Sequence, residues 1–280
     1  MHPTQAEKGE RFRALHARPG AFVIPNPWDA GTARILEHLG FEALTTTSAG
    51  LAFTLGKRDG EGAMTREETL ANARAIVDAV DLPVAADLEN GFGDSPKVAA
   101  ETIRLAGKAG LVGGSIEDST GDPKRPIYDL DTAAERVAAA VKAARDLPFP
   151  FVLVGRCENF IHGRPDLDDT IKRLQAYEQA GADCLYAPGL VTAEQIRAVC
   201  SAVKKPVNVI MGLKTAAFSV AELAAMGVRR ISVGSALSRV ALGAFLDAAR
   251  EIREHGTFGR LQSALPMAEA KDLVSGGPAS

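Results

Sequence analysis

The sequence predicts an α/β protein of the (β/α)8 TIM-barrel class. Eight short apolar runs of strand length alternate with eight helical patterns along almost the whole chain. Such strict alternation implies parallel strands joined by helical crossovers. The 280 residues also suit a barrel, which typically takes about 250 residues. An open dinucleotide-binding sheet would need GxGxxG after its first strand, and the chain has Asn26-Pro27-Trp28-Asp29 there instead.

The elements follow in order. After a short helical lead-in, the first strand is Ala21 to Pro25, with a helix near Ala30 to His38. The second strand, Glu42 to Thr47, runs into a Ser48-Ala49-Gly50 loop and a longer connection through Asp59. Its helix spans roughly Arg66 to Val80, opened by Thr65 with Glu68 three residues on as a capping box. The third strand is Pro83 to Asp87, with a helix near Ser95 to Ala109. The fourth is Val112 to Ile116, ending at Glu117-Asp118, with a helix from about Leu130 to Arg145. The fifth is Phe151 to Arg156, with a helix from Leu167 to Ala180; the sixth is Cys184 to Tyr186, with a helix capped by Thr192. The seventh, Val207 to Met211, leads to a short helix, Ser219 to Met226. The eighth, Arg230 to Val233, leads through Gly234-Ser235 to a long helix ending near His255. This places one barrel domain over 1–255 and an extension over 256–280, whose end from Ser275 to Ser280 is expected to be disordered.

Composition narrows the function classes. With 32 basic and 35 acidic residues the net charge is −3, which gives no electrostatic case for nucleic acid or membrane binding. Cys157, Cys184 and Cys200 have no CxxC spacing and leave one odd, which favours reduced thiols in a cytoplasm over disulfides or a zinc site. No signal peptide core and no apolar run of about 20 residues is present, so a soluble intracellular protein is expected.

Barrel enzymes carry their chemistry at the carboxyl ends of the strands. Those ends hold Asn26 and Asp29, Ser48, Asp87 and Glu89, Glu117 and Asp118, Arg156 and Glu158, Asn208, and Ser235. Asp87 and Glu89 lie two apart, so they share a face while the strand lasts. Two acids on one face repel unless a cation sits between them, and a hard divalent ion such as Mg²⁺ suits oxygen ligands, with Mn²⁺ an alternative. Glu117 on the next strand and Asp59 on the loop after strand two complete a candidate metal set. Trp28 either walls the pocket or packs on the barrel top. Cys157 turns away from Arg156 by strand alternation and is read as packing. His162 is read as a surface loop residue, and Gly234-Ser235 resembles the phosphate turn after strand eight of many barrels but has no matching glycine-rich loop after strand seven.

Several segments resemble the isocitrate lyase/phosphoenolpyruvate mutase superfamily. They are Thr47-Ser48-Ala49-Gly50-Leu51, Leu55 to Asp59, Asp87-Leu88-Glu89-Asn90-Gly91-Phe92-Gly93, Ser115 to Asp118, Gly155 to Phe160, and Ala180 to Asp183. The resemblance implies a metal-dependent barrel enzyme that makes or breaks a C–C or P–C bond beside a 2-oxo acid. It makes Asp87 the direct metal ligand, with Asp59, Glu89 and Glu117 holding the metal's waters. Ser48, the amides around Gly50 and Leu51, and Arg156 would bind the substrate carboxylate; Asn208, at the end of strand seven, is a further substrate-binding candidate from its position alone. Mg²⁺ would absorb the charge of the pyruvate enolate left by cleavage.

The departures from that pattern bear on the reaction. The chain has Asp87-x-Glu89 where the family usually has Asp-x-Asp. Loop 119–128 lacks the Cys and His of the isocitrate and methylisocitrate lyases, and Ala187 stands where the mutase has His. A lyase of an oxaloacetate- or methylisocitrate-like 2-oxo or 2-hydroxy dicarboxylate is the leading expectation. The alternatives are a phosphoenolpyruvate mutase or phosphonopyruvate hydrolase type of P–C enzyme, and a catalytically weak 2-oxo acid binding protein. Lys124, Arg125 or Tyr128 would cover the site, bind a distal carboxylate or supply a proton, unless Lys124 and Arg125 are solvated loop charges. By resemblance the protein is a homo-dimer or homotetramer with the last barrel helix exchanged between subunits.

Overall fold

A computed structural model describes residues 2–60, 62–212 and 218–275. Its strands are β1 (Phe22–Ile24), β2 (Leu44–Thr45), β3 (Val84–Asp87), β4 (Gly113–Glu117), β5 (Val152–Arg156), β6 (Cys184–Tyr186), β7 (Val207–Ile210) and β8 (Arg230–Ser232). They form one parallel sheet in the order β1-β8-β7-β6-β5-β4-β3-β2, which curls into a nearly closed barrel. At the seam between β1 and β2, Thr45 N–H donates to the Pro25 carbonyl at 3.1 Å. Asn26 laces the same seam: its amide donates to Thr46 O, and its oxygen accepts from Val233 and Gly234 N–H. That strand-end asparagine is therefore taken up by closing the barrel, and the Gly234 amide is not free for a phosphate.

The helices are α1 (Gln5–Ala17), α2 (Ala30–His38), α3 (Ser48–Thr54), α4 (Arg66–Ala79), α5 (Pro96–Lys108), α6 (Leu130–Arg145), α7 (Leu167–Gln179), α8 (Ala193–Ala202), α9 (Val220–Ala225), α10 (Ala236–His255) and α11 (Met267–Val274), with a 3₁₀ turn at Gly259–Ser263. Local chemistry starts them where the sequence suggests. Thr65 and Glu68 form a reciprocal capping box, and Thr192 does the same with Gln195. Helix α3 replaces the loop expected at Ser48-Ala49-Gly50. A Cβ at Gly50 would lie 2.6 Å from the Thr47 methyl and 3.0 Å from Trp28, so the glycine here serves close packing rather than a turn.

Strand alternation sorts side chains into two layers. Phe22, Ile24, Ala85, Val152, Val154, Cys184 and Tyr186 meet inside the barrel. Val84, Ala86, Leu153, Leu185, Val207, Val209 and Ile231 face the helices, and Cys157 packs among them. All three cysteines are free thiols. The amino-terminal mouth is plugged by α1, whose Phe12 is wholly buried. Gly113 makes room for it, since a Cβ there would lie 2.6 Å from the Phe12 ring. Phe12→Ala should therefore cost about 3–5 kcal/mol, read as a lower urea midpoint at unchanged slope.

Beyond the barrel, α11 folds back on α2, where the Arg34 guanidinium donates to Val274 O. The disorder expected at the end of the chain falls, apart from Ser275, outside the described residues. Helix α10 leaves Val240 and Phe245 exposed at 70% and 71%, with Leu237, Leu242 and Leu246 also exposed. Among the described residues no helix is long and apolar enough to cross a membrane.

Candidate active site

A pocket of about 200 Å³ opens at the carboxyl ends of the strands, with Ser48, Asp59, Asp87, Arg156, Asn208 and Ser235 on its walls. A larger hollow of about 530 Å³ lies at the opposite end, lined by Arg13, Arg145 and Lys205; it has none of the strand-end groups. Arg156 is the hub of the first. Its Nε lies 2.5 Å from Glu158 Oε1, and its Nη1 lies 3.3 Å from both Asp87 Oδ1 and Glu117 Oε2. The strands fix this convergence. Asp87 closes β3, Glu117 pairs with Arg156 in register across β4 and β5, and Arg156 pairs with Tyr186 on β6. The Tyr186 ring sits 5.1 Å from the guanidinium carbon, close enough for a cation–π contact.

Asp87 is held from several sides. Its second oxygen accepts from Ser48 Oγ at 3.0 Å, and its own amide donates to Thr46 Oγ1 at 3.1 Å. Ser48 also hydrogen-bonds Asp59. The loop beyond β3 is clamped by Arg136, buried to 1% exposure, which donates to the carbonyls of Asn90, Gly93 and Asp94. Tyr128 donates to Asp94 at 2.6 Å. That buried tyrosine staples two loops and is not a free proton donor, as the sequence had allowed.

The site is short of positive charge. Burial, then repulsion from Asp87, pushes Asp59 above the usual carboxylate range. Burial raises Glu117 strongly, against the pull of Arg156, and raises Glu158 against the same pull. For Arg156, burial works against the charge, but Glu158, Glu117 and Asp87 more than offset it. One guanidinium thus serves a cluster of five acids, Asp59, Asp87, Glu89, Glu117 and Glu158.

Glu89 departs from the sequence expectation. Strand β3 ends at Asp87, and Glu89 sits in the following turn with φ +48°, so strand alternation no longer aligns the two acids. A positive φ is uncommon for glutamate and tends to mark functional sites. Its Oε1 is buried without a partner. Burial, then Asp87 and Asp59, pushes its carboxyl up to about 7. A carboxyl with a raised folded pKa binds more protons in the native than in the unfolded state. The metal-free protein should therefore lose stability as pH rises from the ordinary glutamate range to about 7. Thermal melts in EDTA across that range check this, and Glu89→Gln should flatten the profile.

The remaining candidates divide. Asn208 lines the pocket and donates to Ser232 Oγ at 3.0 Å. Gly50 and Leu51 do not line it. Their amides are used in α3, Gly50 N–H donating to Thr47 Oγ1 and Leu51 N–H to Thr47 O. Ser48 and Ala49, which do line the pocket, head the helix where N–H groups lack intrahelical partners. Trp28 is half-buried outside the pocket lining, packed on Gly50. Lys124 is exposed on its loop and does not reach the lining. Asp118 turns away to Arg173 and Tyr177. His162 is exposed but shares a 3.1 Å hydrogen bond with Ser119. Thr46, Tyr186, Ser232 and Arg230 escaped the sequence reading. Each lies on or just past an inward strand position, which was the available signal.

The donor set suits a hard cation. The chemistry is all carboxylate oxygen, one oxygen is an orphan, and the acids outnumber the local positive charge. Among the described residues no three such side chains already converge as direct ligands. A cation that keeps most of its water needs only one or two protein carboxylates.

Comparison with known proteins completes the description. Residues 12–253 match the family described as phosphoenolpyruvate phosphomutase. The chain is 31% identical over 258 residues to a probable 2-methylisocitrate lyase of Corynebacterium glutamicum, covering 89% of this chain and 82% of that one. A crystal structure from Burkholderia cenocepacia, described only as a lyase/mutase, superposes with TM-score 0.95 at 59% identity, covering 98% of each chain. A phosphonopyruvate hydrolase solved with oxalate and Mg²⁺ gives TM-score 0.85 at 25% identity over 95% of this chain and 94% of that one.

Proposed function

The chain belongs to the isocitrate lyase/phosphoenolpyruvate mutase superfamily, and on that premise we propose that it is a Mg²⁺-dependent lyase. It cleaves the C–C bond beside the 2-oxo or 2-hydroxy carbon of a dicarboxylate: a 2-oxo diacid releases CO2 and leaves a pyruvate enolate, whereas a 2-hydroxy diacid gives up its hydroxyl proton to become pyruvate and leaves the enolate on the departing acid. The observation that carries this reading is Arg156, ion-paired at once to Asp87, Glu117 and Glu158. That geometry supplies a planar donor for a substrate carboxylate beside a surplus of acids for a cation.

In this reading Asp87 would hold a divalent cation, Mg²⁺ or Mn²⁺, directly, with Asp59, Glu89 and Glu117 placed to orient its waters. When bound, that cation would supply positive charge to offset the developing enolate. Arg156 and Ser48 hold the substrate carboxylate, and Asn208 contacts the rest of it. Asp59, which burial and then Asp87 push above the usual carboxylate range, is the group assigned to return a proton to the enolate. Lys124 and loop 119–128 act only by closing over the pocket. The exposed apolar face of α10 supports a homo-dimer or homotetramer, and three free thiols support a cytoplasmic setting.

The phosphonopyruvate hydrolase relative favours P–C cleavage as the second reading. The purified protein should be incubated with Mg²⁺ and oxaloacetate, 2-methylisocitrate or phosphonopyruvate, with and without EDTA. EDTA-sensitive pyruvate from a carbon substrate supports the lyase. Pyruvate with phosphate from phosphonopyruvate alone replaces it with the second reading. Metal binding without turnover of any of the three leaves a different substrate or a 2-oxo acid binding protein.

A further inference from the structure

The floor of the same pocket holds a cation that the chemistry above does not use. Glu117, Arg156, Tyr186, Asn208 and Arg230 are successive register partners across β4, β5, β6, β7 and β8. They form one inward-facing row. Strands lie about 4.8 Å apart, so Arg156 and Arg230 are separated by roughly 14 Å along the wall. Barrel strands tilt, so such a row also descends along the barrel axis. Arg230 ends it above the Phe12 plug, its guanidinium carbon 5.8 Å from the ring centroid, and it contributes to the pocket lining.

Arg230 is 5% exposed, and its Nε and Nη1 have no hydrogen-bond partner. The two other buried arginines among the described residues are partnered. Arg136 donates to three carbonyls, and Arg173 is paired with Asp118 and Asp169. Among the described residues no acid is paired with Arg230. Burial, then Arg230 itself, pushes His16 down to about 3, so that ring is neutral. Burial raises Cys184 to about 11 and raises Tyr186 further, so both keep their protons. A guanidinium cannot shed its charge in this way. An unpaired buried charge is costly, and an arriving anion would relieve that cost. The route to it is polar: Tyr186 and Asn208 both hydrogen-bond Ser232, and Asn208 Oδ1 is also unpartnered.

We propose that Arg230 forms an anion subsite at the pocket floor and receives the distal carboxylate of a dicarboxylic substrate. This rests on reading the upper end of the pocket as the 2-oxo acid site. Arg230 thereby selects diacids over monoacids with the same reacting end.

Malate and lactate share a 2-hydroxy acid end and differ by the distal carboxylate, while oxalate reports on the upper end alone. Calorimetric titration in Mg²⁺ should show malate binding more tightly than lactate by about 10–100-fold, the worth of a charge-assisted hydrogen-bonded contact. Arg230→Met should erase that preference and leave oxalate binding unchanged, and Arg230→Lys should restore part of it. Removing an unpaired buried charge should also raise the ligand-free melting temperature of Arg230→Met by about 2–4 °C. A malate preference that survives Arg230→Met overturns the proposal. So does a lower melting temperature with malate and oxalate weakened alike, which would mark a structural role. If chloride stabilises wild type but not Arg230→Met, and malate has no advantage over lactate, Arg230 holds an inorganic ion and the proposal fails. A wild-type protein that binds no oxalate in Mg²⁺ sinks the 2-oxo acid reading itself, and this one with it.

Discussion

Asp87→Ala is expected to reduce turnover by about 10³-fold or more, the scale on which loss of a charge-stabilising group or metal contact acts. The fold should survive. Asp87 is the carboxylate at which Ser48, Arg156 and the end of β3 meet. Removing it leaves Arg156 paired with Glu117 and Glu158. It also removes a negative charge that helps push Asp59, Glu89 and Glu117 above their ordinary range. The metal-free variant should therefore melt no lower than wild type, while the stabilisation that Mg²⁺ gives wild type disappears. Retained turnover, or retained stabilisation by Mg²⁺, would move the cation site away from Asp87.

Arg156→Ala should act on both activity and stability. It strips the counter-charge from Asp87, Glu117 and Glu158 at once, and breaking a buried ion pair from one side costs about 3–5 kcal/mol. The acids can escape only by taking up protons. Their folded-state pKa values then rise, so the variant loses stability as pH increases and recovers it towards acid. Arg156→Lys keeps a charge but not the planar fork. It should fold nearly as well as wild type and still lose about 10²-fold in kcat/KM, in line with the loss of a two-pronged charged contact. Urea titrations of both variants at two pH values, with turnover measured alongside, separate the two effects.

The fold was largely legible in the sequence, because each strand of a buried parallel sheet reads as a short apolar run and most helices, though not α10 or α11, open on a side-chain cap. Boundaries of α2, α6 and β6 coincide with the expectation. Helix α3 was not legible: Ser-Ala-Gly-Leu-Ala-Phe-Thr carries a helix-weakening glycine whose reason is contact with Trp28, far along the chain. The site was legible wherever a charge closes a strand, as at Asp87, Glu117 and Arg156. Glu89 was placed by alternation, but the strand ends two residues before it, at Asp87. Tyr186 follows two strand residues without charge and Arg230 opens its strand behind Arg229, so neither closes a strand with a charge; their register beside Asn208 shows that they face the lumen.

The central claim is that these acids and Arg156 form one site for a divalent cation and a 2-oxo acid. Titrating the protein with Mg²⁺ in the presence and absence of oxalate tests it most directly. The expected result is that each ligand tightens the other by the same factor, as linkage requires, and that Asp87→Ala abolishes the effect. Oxalate binding that is equally tight in EDTA, or unchanged in Asp87→Ala, would contradict it.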